Sequence, residues 1–169
     1  MNSPVLKVEK TTDKPFYKYG DIITYRIVLT QEQTGCVARN VTLQDVIDTQ
    51  GVRLLKDSVI LMDEKGNVAD ADVQSNDDNT FLMSTGRTLV RDSRYSICDN
   101  DKGGLFEQVM YNPLDCQEQK SMIVEYQAAV IDAALAGQKV HNTAVADSSE
   151  KIPATGEAET EVHLSLIHI

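Results

Sequence analysis

No run of this 169-residue sequence approaches the roughly 18 consecutive apolar residues of a membrane-spanning helix. Basic residues are also in deficit: 16 Lys and Arg stand against 26 Asp and Glu, a formal net charge of -10. The acidic residues are spread along the chain, and both nucleic acid and an anionic membrane surface require a positive face. Nucleic acid and direct membrane contact are therefore excluded as partners. Cysteine is scarce. Cys36, Cys98 and Cys116 are too few for a disulfide scaffold, and their spacings fit no zinc pattern. Cys98 and Cys116 flank one polar segment and read equally as a pair or as free thiols. The opening Met1-Asn2-Ser3-Pro4 lacks the basic and apolar regions of a secretory signal, so the signal and anchor of an exported parent are expected outside this sequence. There is no Gly-x-Ser-x-Gly, phosphate loop or dinucleotide fingerprint, so turnover catalysis has no support and the chain is read as a non-enzyme.

What is present is ordinary globular composition, 41% apolar and 25% charged, arranged at the period of strands. Val5 to Lys10 alternates apolar and polar residues, then breaks at Thr11-Thr12-Asp13-Lys14-Pro15. Ile22 to Thr30 is dense in β-branched and aromatic residues and reads as a strand throughout. Val37 to Ile47, Val52 to Met62 and Ser121 to Val130 read the same way, and Val140 to Ala146 with Glu157 to Leu164 reads as a closing hairpin. Asp132 to Gly137 has room for one helical turn. About seven core strands with frequent turns predict an all-β, immunoglobulin-like sandwich. We expect a single domain over 1–164, with 63–119 as an insertion of short strands and loops and 165–169 as a tail without function. Within that insertion Asp99-Asn100-Asp101-Lys102-Gly103-Gly104 begins like a calcium loop, but Gly103 and Met110 occupy ligand positions, so the EF-hand pattern fails. No cofactor is expected, and an irregular calcium site in 63–104 is the one metal alternative. His141, His163 and His168 lack metal-ligand spacing.

Three polar residues share the phase of apolar neighbours in their strands, and such residues are predicted to point inward. Lys10 lies in phase with Leu6 and Val8, Asp45 with Val41, Leu43 and Ile47, and Asn142 with Val140 and Ala144. An unpaired buried amide alone costs roughly 2 to 7 kcal/mol, so the three are expected to meet. Their chemistry is complementary. Desolvation lowers a lysine pKa and raises that of an aspartic acid, leaving a neutral nucleophilic amine beside a protonated acid. The acid is expected to hydrogen-bond the asparagine carbonyl and shuttle a proton while the amine displaces ammonia, giving a Lys10–Asn142 isopeptide bond with Asp45 as its catalyst. The competing reading is structural: Lys10 snorkels from its strand end, Asp45 caps a turn beside Asp48, and Asn142 bonds backbone at a bulge.

Leu6-Lys7-Val8-Glu9-Lys10, Tyr19-Gly20-Asp21-Ile22-Ile23-Thr24-Tyr25-Arg26-Ile27, Ala38-Arg39-Asn40-Val41-Thr42-Leu43-Gln44-Asp45, Val124-Glu125-Tyr126 and His141-Asn142-Thr143-Ala144-Val145 carry a resemblance in one fixed order. Over about 5–62 and 120–164 the chain resembles the conserved repeat domain of bacterial cell-surface proteins, related to the isopeptide-forming modules of pilins and collagen-type adhesins. The resemblance implies a Gram-positive-type, cell-wall-associated location and a stalk or spacer role beside neighbouring domains of the same surface protein. It also implies the reacting trio Lys10, Asp45 and Asn142. The alternative is an adhesin module that uses 63–119 to recognise a host matrix protein or glycan, since loops on a rigid sandwich are where binding usually resides. Ile152-Pro153-Ala154-Thr155-Gly156 resembles the sortase signal Leu-Pro-x-Thr-Gly, but the polar Ala158 to Val162 follows it, so 152–157 is read as a hairpin turn.

Overall fold

The computed structural model describes residues 3–91 and 118–165. Its strands are β1 Leu6–Thr12, β2 Phe16–Lys18, β3 Ile22–Gln31, β4 Val37–Ala38, β5 Thr42–Ile47, β6 Val52–Leu54, β7 Ile60–Met62 and β8 Val68–Ala69. They continue with β9 Asp72–Asn76, β10 Thr80–Ser84, β11 Thr88–Val90, β12 Glu118–Gln119, β13 Ser121–Val130, β14 Lys139–Asp147 and β15 Ala154–His163. Two sheets of six strands face each other. The first runs β1-β3-β13-β7-β8, with β6 also on β13, and the second runs β2-β15-β14-β5-β10-β9. A small third sheet joins β12, β11 and β4. The protein is an all-β sandwich, as the strand-period reading implied.

Alternation builds the core. In β3 the side chains of Ile23, Tyr25, Ile27 and Leu29 are buried, and in β13 those of Met122, Val124, Tyr126, Ala128 and Val130. From the other sheet come Leu43 and Ile47 of β5, Phe81 and Met83 of β10, and Val140, Ala144 and Ala146 of β14. Truncating one of the larger of these side chains to alanine costs about 2 to 5 kcal/mol, because a close-packed interior relaxes only partly around the void.

Several boundaries differ from the sequence reading. The segment 37–47 is two strands, because Asn40 takes a left-handed backbone (φ 49) that ends β4, and β4 pairs with β11 rather than continuing β5. The segment 52–62 is broken by a 3-10 turn at Lys56–Ser58, which separates β6 from β7. The hairpin turn placed at 152–157 lies earlier, since Ala154 already opens β15 and the reversal uses Lys151 at φ 62. A 3-10 turn at Ala133–Leu135 fills the place of the expected helical turn and is capped by the Asp132 carboxylate accepting from the Ala134 amide at 2.8 Å. Within 63–119, β8 pairs with β7, the β9–β10 hairpin adds to β5, and β11 pairs with β4 and β12. Cys98, Cys116, the 99–104 loop and residues 166–169 lie outside the described residues.

Candidate functional site: a polar trio in the inter-sheet core

Strand register decides which inward side chains meet. In the second sheet Asp45 pairs with Ala144 and Asn142 with Ile47, so Asp45 and Asn142 are diagonal neighbours on the core face of adjacent strands. Lys10 comes from the other sheet, where β1 lies on β3 with Lys10 opposite Ile27. Its side chain crosses the space between the sheets. There Nζ contacts Asp45 Oδ2 and donates to Asn142 Oδ1. The structure thus brings together the three residues that strand phase aimed inward.

The site is dry. The side chain of Lys10 is 0% exposed and that of Asp45 1%, and Asn142 is fully buried. Lys10 therefore does not snorkel, Asp45 stands within β5 rather than at a turn, and Asn142 spends its amide on side chains. Burial pulls the Lys10 pKa down to about 8 against the opposing pull of Asp45. Burial likewise pushes Asp45 above the usual carboxylate range, although Lys10 and the Tyr126 hydroxyl hold it back. Both directions favour the uncharged pair, an amine beside a carboxylic acid.

Two tyrosines and a phenylalanine wall the trio. Tyr25 and Tyr126 are register partners on β3 and β13, and their rings stack with centroids 5.1 Å apart at 19°. Phe81, the register partner of Asp45, meets Tyr126 edge-on at 4.9 Å. Lys10 Nζ lies 5.4 Å from the Tyr25 ring centroid and 5.7 Å from that of Tyr126. The Tyr126 hydroxyl donates to Asp45 Oδ2 at 2.6 Å and accepts from Asn142 Nδ2 at 2.6 Å. One feature departs from expectation: the Asn142 carbonyl takes its hydrogen bond from Lys10, and Asp45 reaches the amide through Tyr126.

No family model matches the chain, and no curated protein sequence does. Solved structures do. The N-terminal domain of the Streptococcus gordonii adhesin Sgo0707 superposes with a TM-score of 0.58 at 14% identity, over 94% of this chain and 32% of that one. The fold is that of Gram-positive pilin and adhesin modules. The Corynebacterium diphtheriae major pilin SpaA, described as a modular pilus assembly with stabilising isopeptide bonds, gives a TM-score of 0.52 at 16% identity over 89% of this chain and 33% of that one. The collagen-binding subdomain of the Enterococcus faecalis surface protein ACE gives 0.53 at 12% identity over 92% of this chain and 95% of that one. The chain thus spans about a third of the adhesin and pilin chains and nearly all of the collagen-binding subdomain.

Against this pilin-and-adhesin fold, sequence reasoning missed the part played by Tyr126. Its signal was its place in the phase of Met122, Val124 and Ala128, which marks it as inward but does not name its partners. His141 and His163 lie at the surface: His141 Nδ1 faces Asp48 Oδ1 at 2.9 Å, and His163 stacks on Phe16 with ring centroids 4.1 Å apart. Among the described residues no group of three or more His, Cys, Asp or Glu side chains is placed to hold a metal ion, and no helix is long and apolar enough to cross a membrane.

Proposed function

We propose that this chain is a load-bearing module of a bacterial surface adhesin or pilin, fastened internally by a Lys10–Asn142 isopeptide bond that its own side chains form. The observation that carries this reading is the desolvated contact of Lys10 Nζ with both Asp45 and Asn142. The neutral amine attacks Asn142 Cγ while protonated Asp45, in contact with that amine, serves as the acid. The Nζ–Cγ bond forms, the Cγ–Nδ2 bond breaks, one proton passes from Nζ to Nδ2, and ammonia departs. Asp45 ends as it began, so the step occurs once per molecule and needs no cofactor. Force separating β1 from β14 then loads a covalent amide rather than hydrogen bonds and packing. The partners of such a module are the neighbouring domains of the same exported protein, outside the cell.

Intact mass tests the bond directly. The purified chain is expected to weigh one ammonia less than its sequence, about 17 Da, and Asn142→Ala is expected to show only the mass of its substitution. An unshifted wild-type mass removes the bond. Matrix binding is the second reading, favoured by the likeness over 95% of a collagen-binding subdomain. Immobilised collagen tests it, and retention of the chain that survives high salt would support it.

A further inference from the structure

Asp45 and the nitrogen that must leave Asn142 are joined through one side chain. Asn142 Nδ2 donates to the Tyr126 oxygen at 2.6 Å, and the Tyr126 O–H donates to Asp45 Oδ2 at 2.6 Å. Asp45 Oδ2 is also the oxygen in contact with Lys10 Nζ. An unbroken line therefore runs from the attacking nitrogen through Asp45 and Tyr126 to the departing one, within the buried core: Tyr126 is 1% exposed and Asn142 0%.

We propose that Tyr126 is a catalytic residue of the cross-linking reaction, the general acid that delivers the proton to the ammonia leaving group. The inference rests on the isopeptide reading above and adds the route of its proton. In the resting arrangement the line points from Nδ2 toward Asp45, because an amide nitrogen has its lone pair tied up in conjugation and can only donate. Attack at Cγ ends that conjugation and makes Nδ2 basic, so the line reverses. Asp45 gives its proton to the Tyr126 oxygen and takes one from Nζ in its place. Tyr126 gives its own proton to Nδ2, and the Cγ–Nδ2 bond breaks with its electron pair leaving on ammonia. As the carbonyl re-forms, Asp45 again carries one proton and Tyr126 again carries one O–H. Nζ has lost one proton and Nδ2 has gained one, with nothing else consumed.

The phenol suits this role because burial and the neighbouring Asp45 carboxyl hold it protonated at any working pH. It acts as a relay and never rests as phenolate. Its ring is fixed by the stack on Tyr25 and the edge contact with Phe81, which a phenylalanine would keep.

The experiment follows ammonia loss by intact mass after a cell-free synthesis pulse, in wild type, Tyr126→Phe and Asn142→Ala. Wild type is expected to lose ammonia and Asn142→Ala not to. Tyr126→Phe, checked for folding by its thermal transition, is expected to cross-link at least about a hundredfold more slowly, the usual contribution of a positioned general acid. Wild-type kinetics in mixtures of water and D2O provide a second measurement that requires no variant to fold. A relay moves more than one proton in the slow step, so rate against deuterium fraction is expected to curve. Equal rates in wild type and Tyr126→Phe, or a linear plot, overturn the relay and leave the bond standing. Absence of ammonia loss in wild type overturns both.

Discussion

Lys10 and Asn142 lie 132 residues apart in sequence, on opposing sheets, and meet through Nζ and Oδ1 in the buried space between them. A covalent bond at that point closes nearly the whole chain into a loop. In the chain-entropy picture such a closure removes about 5 kcal/mol of freedom from the unfolded state. Lys10→Met, which keeps much of the side-chain volume but has no amine, is expected to lower Tm by roughly 10 to 20 °C. Scanning calorimetry on both proteins checks this, and equal transitions would show that no cross-link stabilises wild type.

The buried lysine makes a pH prediction where the bond cannot form. In Asp45→Ala the amine loses the carboxylate that raises its pKa, so burial alone acts and holds the folded value at or below the about 8 of wild type. A folded pKa below the unfolded 10.5 means that the unfolded chain binds the extra proton between those values. Stability is then fully present above 10.5 and lost as pH falls through the folded pKa, by on the order of 3 kcal/mol. Urea unfolding of Asp45→Ala at pH 7 and pH 10 is expected to show the higher midpoint at pH 10. A midpoint independent of pH would mean that Lys10 is not desolvated.

Gly156 sets the distance between β1 and β15. A Cβ at that position would lie 2.5 Å from the Val8 carbonyl oxygen and 2.6 Å from Val8 Cγ1, and a backbone atom cannot move aside without its strand. Gly156→Ala is expected to cost about 1 to 3 kcal/mol by overpacking. Because β1 also carries Lys10, the same variant is expected to slow ammonia loss. Calorimetry and the mass time course read the two effects, and a variant with wild-type behaviour in both would place β1 further from β15.

His141 neighbours Asn142 on the outer face of β14 and bonds Asp48, whose carboxylate raises the imidazole pKa above 6.5. The sign is that of a raised group: the pair stabilises the fold at pH below 6.5 and ceases to do so as pH climbs through the folded pKa. An NMR titration of the His141 ring is expected to give a midpoint above 6.5, moving down in Asp48→Asn. An unmoved midpoint would assign the shift to Glu157 and Glu159, which also face the ring electrostatically.

Which way side chains point is legible from local periodicity. Period-two alternation is a local property of a strand, so Lys10, Asp45 and Asn142 were legible as inward residues from their neighbours at i±2, and the sandwich followed from the number of such strands. Which of these side chains meet depends on long-range strand pairing. Only the register of β5 on β14 sets Asp45 beside Asn142, and only the facing of the sheets lowers Lys10 onto both. Tyr126 became part of the site in the same way. Its inward phase was local, but its place between Asp45 and the Asn142 amide depends on β13 standing opposite β5 and β14, and such long-range facing has no signature within any one strand.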